Sequence, residues 1–173
     1  MVVLEERDQA LARGAPILGE VIGFGTTCDA QHMANPEPQG MIAAIRAALA
    51  DAAVEGTAVD YVNAHATGTR AGDAAEAEAL MRTVGDGVPV SSSKGHLGHL
   101  LGACGVVEAI ITLVAMQRGI APGTRNLDDP DVAPIRLLRH PLPARLHTCL
   151  STSFAFGGIN AALLLGSADV ARS

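Results

Sequence analysis

The residues of this chain best suited to chemistry are two histidines, a lysine and one isolated carboxylate. His65 stands in Asn63-Ala64-His65-Ala66-Thr67-Gly68-Thr69, while Lys94, His96 and His99 share the glycine-rich loop Ser91 to His99. That loop feeds an apolar run to Arg118 in which Glu108 is the single carboxylate. A lysine beside an apolar helix needs a carboxylate partner or a depressed pKa, because a bare buried ammonium is costly. Glu108 is the candidate partner. His96 and His99 form an HxxH pair, yet no nearby cysteine or acid supplies the further ligand that zinc sites use, so no metal site is expected. The loop also lacks the GK[ST] ending of a phosphate-binding P-loop. Taken alone, His65 has a bland reading too, as a satisfied core or capping histidine.

The elements that must position these groups follow from pattern. Met1 to Glu6 reads as the end of a strand, and Pro16 to Thr26 as a fuller one, β-branched and glycine-spaced. Asp29 to Pro38 is a loop by its Asn-Pro and Pro-Glu-Pro punctuation. Apolar residues at three-to-four spacing predict a helix over Gln39 to Val54. A short strand follows at Val59 to Ala64. Asp73 and Glu76 read as a capping box starting a helix over Ala74 to Val84. A strand at Val88 to Ser91 precedes the polar loop and the helix Leu101 to Met116. Strands near His147 to Ser153 and Ile159 to Leu165 close the chain, joined by Phe154-Ala155-Phe156-Gly157-Gly158. This alternation predicts an α/β fold with a sheet parallel except at one end. Three polar clusters then fall where strands end, the usual place for ligands in open α/β sheets.

Composition bounds the rest. The chain has 173 residues, enough for one core, and no internal domain boundary is evident. Hydrophobic residues make up 49% and charged ones 17%, with mean hydropathy +0.29, which points to burial beyond what this chain supplies alone. An apolar helix with no polar stripe must be covered all round. Net charge is -6 with no basic run, so no nucleic-acid footprint is expected. No uninterrupted apolar tract of membrane-spanning length occurs, and the start is not expected to be a signal peptide. Cys28, Cys104 and Cys149 are odd in number and far apart, which fits reduced thiols and a cytoplasmic setting.

Five blocks in order resemble one family, the β-ketoacyl synthases. The His65 block with Gly72, Asp73 and Glu76 is similar to N-A-H-G-T-x-T…G-D…E. Lys94 to Gly105 with Glu108 is similar to K-x-x-x-G-H-L-L-G-A-A-G…E. Asn126 to Asp131 resembles the N-L-D-x-P-D loop, and Phe154 to Asn160 the F-G-F-G-G-T-N turn. Asp29 to Met33 resembles the D-A-x-H-M loop of the enzymes that elongate fatty acids.

The resemblance implies a thiolase-like fold, of which this chain is the C-terminal half: a mixed five-stranded sheet with helices on both faces. Met1 to Glu6 would be the last strand of an absent N-terminal half. It also implies an acyltransferase performing decarboxylative Claisen condensation, as 3-oxoacyl-carrier-protein synthase, in fatty acid or polyketide biosynthesis. His65 and His99 would hydrogen-bond the malonyl thioester oxygen, with Lys94 orienting His99 and Glu108 as its counterpart. The backbone N–H of Phe156 would form half of an oxyanion hole while its ring gates the acyl pocket. Thr67 and Thr69 would bind a phosphopantetheine arm. Asp29, His32, Phe154 and Asn160 would also belong to the substrate side, and Asp73 would be structural. No bound cofactor is implied. The partners would be acyl carrier protein, the N-terminal half and a second copy of the complete protein.

This sequence departs from the pattern in places. The family's nucleophilic cysteine belongs to a motif of the first half, and none of the three cysteines replaces it. Cys104 takes a small-residue slot, Ala66 and Ala155 replace glycines, and Ile159 replaces a threonine. A non-catalytic partner of the chain-length-factor kind is the alternative reading. Thiolase is a weaker rival, since it uses a second cysteine where this chain has histidines.

Overall fold

Which way three of the strands run decides where the polar clusters meet. In the computed structural model, which describes residues 1–30, 36–132 and 134–168, five strands form one sheet in the order β1-β7-β6-β2-β3. They are β1 (Glu20–Cys28), β2 (Tyr61–Asn63), β3 (Val90–Ser91), β6 (Thr148–Ala155) and β7 (Ile159–Gly166). β2 lies parallel to both β3 and β6, while β6–β7 and β7–β1 are antiparallel. The sheet is therefore mixed, as expected. Because β2, β3 and β6 point the same way, the chain leaves all three at one edge. The segments after Asn63, Ser91 and Ala155 must gather there.

The sheet is covered by helices on both faces, and alternation along the strands sorts the side chains. Val62, Val90, Leu150 and Leu164 enter a core with α2 (Pro38–Asp51) and α3 (Arg70–Thr83). Tyr61, Cys149 and Leu165 enter a second core with Ala115 and Met116 of α5 (Cys104–Arg118). α2 lies unusually close to β1. A Cβ added at Gly25 would sit 2.1 Å from the Ala44 carbonyl oxygen, and one at Gly23 would sit 2.3 Å from that of Ala48. Glycine on the strand and alanine on the helix are what permit this approach.

Several boundaries differ from expectation. α3 begins at Arg70, so Asp73 and Glu76 do not form a capping box at its start. The amide of Asp73 already makes a helical bond to the Thr69 carbonyl, and its carboxylate accepts from Gly68 outside the helix. A single helical turn, α4 (Lys94–Leu97), lies within the polar loop, and residues 101–103 form a 3₁₀ turn before α5. A helix α1 (Arg7–Ala12) follows Met1 to Glu6, which pairs with no described strand and is exposed. The sequence pattern also missed a small ladder between β4 (Ile120–Ala121) and β5 (Leu142–Pro143).

Coverage of α5 is one-sided. Cys104, Glu108, Thr112, Ala115 and Met116 are buried, but Val106, Ile110 and Val114 remain 47%, 38% and 40% exposed. By length and hydropathy, Leu101–Arg118 is apolar enough to cross a membrane. Its buried Glu108 and its packing on the sheet are those of a core helix with one face open.

Candidate active site

Lys94 begins α4 after Ser92 and Ser93, which follow β3, and Glu108 lies one turn into α5. The two meet in a buried ion pair, with both side chains almost wholly enclosed. Burial raises the Glu108 carboxyl above its ordinary range, and the Lys94 ammonium pulls it back. β2 fixes this helix from the side: Asn63 donates from Nδ2 to the Glu108 carbonyl and to the Thr112 hydroxyl, both at 3.2 Å.

His65 follows β2 by two residues. Its backbone N–H donates to Glu76 Oε1 at 2.9 Å and lies 3.1 Å from the Thr152 hydroxyl. The next amide, of Ala66, donates to Glu76 Oε2 at 2.7 Å. Thr152 in turn donates to Glu76 at 2.7 Å. One buried carboxylate on α3 thus holds the turn that carries the histidine. Burial pushes the Glu76 carboxyl up, and those hydrogen bonds oppose the shift. Pattern reading placed Glu76 only in a cap. The available signal was an acid among Ala75, Ala77 and Ala79, the buried face of α3.

His99 comes from the far end of the polar loop, yet its ring centroid lies 5.5 Å from that of His65, with the rings edge to face. Its Nδ1 accepts the Leu101 backbone N–H at 3.0 Å. A nitrogen that accepts carries no proton, so this network assigns the neutral ring's hydrogen to Nε2. Leu101 reaches this position with φ +53°, a left-handed conformation a leucine rarely takes. Burial lowers the pKa of His65 to about 4, helped by the nearby Lys94 charge and by His99. Phe154, buried, lies against it with centroids 6.3 Å apart.

The sequence-derived candidates divide into three groups. His65, His99, Lys94, Glu108 and Phe154 come together. Thr67, Asp73, Lys94 and His99 line one cavity of about 430 Å3, together with Thr124 and Asn126. Thr67 and Thr69 place their hydroxyls 3.2 Å apart, while burial raises the Asp73 carboxyl.

Asp29 and Asn160, expected on the substrate side, do not line that cavity and bond to each other. Asn160 donates from Nδ2 to Asp29 Oδ1 at 2.6 Å and to the Gly158 carbonyl at 3.1 Å. The Asp29 amide donates to the same carbonyl at 2.9 Å. They latch the β6–β7 turn onto the end of β1. Phe156 stands on that turn, 82% exposed, before Gly157 and Gly158 at positive φ. His32 lies outside the described residues. Ala66 has φ +24°, so alanine sits where the turn favours glycine, whereas Ala155 ends a regular strand and carries no such strain. Among the described residues, no group of three or more His, Cys, Asp or Glu side chains could hold a metal.

Residues 18–128 match the family model described as "Beta-ketoacyl synthase, C-terminal domain". The chain is 45% identical over 172 residues to 3-oxoacyl-[acyl-carrier-protein] synthase 2 of Vibrio harveyi, covering 95% of this chain and 41% of that one. It thus spans about two fifths of that relative's length. Other relatives carry "mitochondrial" or "chloroplastic" in their names. Among solved structures, a β-ketoacyl synthase from Burkholderia phymatum aligns with TM-score 0.92 and 43% identity, covering 94% of this chain and 41% of that one. The ishigamide ketosynthase/chain length factor aligns with TM-score 0.87 and 38% identity, covering 93% and 41%.

Proposed function

Because this chain belongs to the β-ketoacyl synthases, as their C-terminal domain, we propose that it supplies the malonyl-binding and decarboxylating half of a 3-oxoacyl-carrier-protein synthase. The observation that carries this reading is the approach of the His65 and His99 rings, centroids 5.5 Å apart, beside a buried Lys94–Glu108 pair. A malonyl thioester placed there loses carbon dioxide when its carbon–carboxylate bond breaks. The electron pair passes into the thioester, and negative charge develops on its oxygen. Two neutral imidazoles donating to that oxygen stabilise the enolate as it forms, and this is where preorganised donors act most strongly. Neutrality of His65 at pH 7 suits the role, since its pKa is pulled down to about 4. Lys94 holds the field and orients the His99 loop, being tied to Glu108.

The enolate carbon then attacks an acyl thioester carried on the cysteine of an N-terminal half. That carbonyl's oxyanion takes the Phe156 N–H, and collapse expels the cysteine thiolate. Thr67 and Thr69 meet the phosphopantetheine arm of acyl carrier protein. Asp29 and Asn160 serve by latching the Phe156 turn rather than by touching substrate. The complete protein is proposed to be a homodimer, and cytoplasmic on the grounds of its three free thiols. The cysteine-bearing half, like the carrier protein, is a proposed partner.

A second reading, a non-catalytic partner of the chain-length-factor kind, is favoured by the likeness to the ishigamide assembly. An inactive partner has no use for an intact histidine–lysine–histidine set, so we rank it second. Malonyl-carrier-protein decarboxylation by this chain with a supplied N-terminal half separates the two. His65→Ala and His99→Ala should each lower the rate by roughly 10²–10³-fold, the usual cost of losing one oxyanion donor. Undiminished rates in both variants exclude the enolate assignment.

A further inference from the structure

Cys104 is a departure from the resembling motif, which has alanine in its slot, and it is not an inert filler. Its Sγ lies 3.1 Å from His99 Nδ1 and 3.1 Å from the Leu100 backbone nitrogen. The Leu100 amide is a fixed donor and occupies a sulfur lone pair. The thiol hydrogen is then left to point at Nδ1, which already accepts the Leu101 amide and bears no proton. Cys104 is 5% exposed, so no bulk water competes for this contact.

We propose that Cys104 is a positioning residue for His99. Its thiol is a second donor onto Nδ1, holding the ring in the Nε2–H tautomer and in one orientation toward the site. Two donors from opposite ends of the 3₁₀ turn, one backbone and one side chain, fix the plane of the ring more tightly than one. With alanine there, only the strained Leu101 amide remains, and the ring gains freedom to rotate away. Serine keeps the donor on a shorter arm. This inference rests on the decarboxylation reading only for its effect on rate, because the tautomer is observable without catalysis.

The test labels the histidines of the full chain with ¹⁵N and records long-range proton–nitrogen spectra of the wild type, Cys104→Ala, Cys104→Ser and Cys28→Ala. In the wild type His99 should show one protonated nitrogen, Nε2, and one lone-pair nitrogen, Nδ1. Cys104→Ala should move the Nδ1 resonance downfield or split it between two ring states. Cys104→Ser should return it toward the wild type, and Cys28→Ala should leave it unmoved. With the N-terminal half supplied, Cys104→Ala should lower kcat for decarboxylation roughly threefold to tenfold, the effect of one neutral hydrogen bond. KM should hold, and serine should restore the rate to within about twofold. An Nδ1 resonance identical in all four proteins overturns the proposal, whatever the rates do. A moved resonance with rates insensitive to His99→Ala leaves the thiol contact standing and removes the decarboxylation reading instead.

Discussion

At the scale of single residues, the proposed chemistry asks for a neutral imidazole and for backbone held where it would rather not be. His65 shows the first. Burial depresses its pKa to about 4, against 6.5 for a free histidine. Between those values the unfolded chain binds a proton that the folded chain refuses, so stability falls as pH drops from about 6.5 to about 4 and levels below. The buried carboxyls of Glu76 and Glu108 are shifted upward and act with the opposite sign, favouring the folded state as they take up protons. The histidine contribution is therefore read as a difference. Urea unfolding of the chain and of His65→Gln should show the acid-side slope shrinking in the variant, and parallel curves would contradict this account. Leu101 shows the second condition. Its positive φ aims the amide at His99, and such strain persists only where the surrounding structure holds it.

Between elements, close approach matters more than area. β1 lies on α2 only because Gly23 and Gly25 lack side chains. Gly25→Ala puts a methyl 2.1 Å from a helix carbonyl and 2.6 Å from the Ala48 amide nitrogen, and neither backbone group can give way alone. The expected loss is about 3 kcal/mol, at the upper end of overpacking costs, measured by chemical denaturation. A loss below about 1 kcal/mol would mean that the helix shifts freely. The same helix carries Gly40, whose added Cβ would fall 1.7 Å from Asp29 Oδ1 and 2.6 Å from Asn160 Nδ2. Packing of α2 and latching of the Phe156 turn are thus one construction. Across the sheet, the Lys94–Glu108 pair ties loop to helix, and removing either partner would strand a buried charge.

For the whole molecule, the open face is the dominant fact. Leu101, Val106, Ile110 and Val114 join Phe24, 51% exposed, in leaving apolar groups uncovered on the α5 side. Patches of this kind mark a surface meant for a partner. The length of the relatives, with 41% of the Vibrio harveyi protein accounted for, supports an N-terminal half as that partner. The chain alone should self-associate with rising concentration in size exclusion and bind a hydrophobic dye. Co-expression with a ketosynthase N-terminal half should abolish both. A dye-silent monomer at all concentrations would count against the idea that this face awaits a second half.

Residue order by itself determined most of the strands and helices, the mixed sheet, the Lys94–Glu108 partnership and the family. Each depends on local periodicity or on motif spacing, which a linear chain displays. What it could not display was where separate strand ends converge. Parallel running of β2, β3 and β6 brings His65 to within a ring's reach of His99. Folding also joins Asp29 to Asn160, and makes Glu76, read from sequence as a helix cap, the anchor of the His65 turn. Those roles depend on distances between residues far apart in the chain, and only tertiary packing sets such distances.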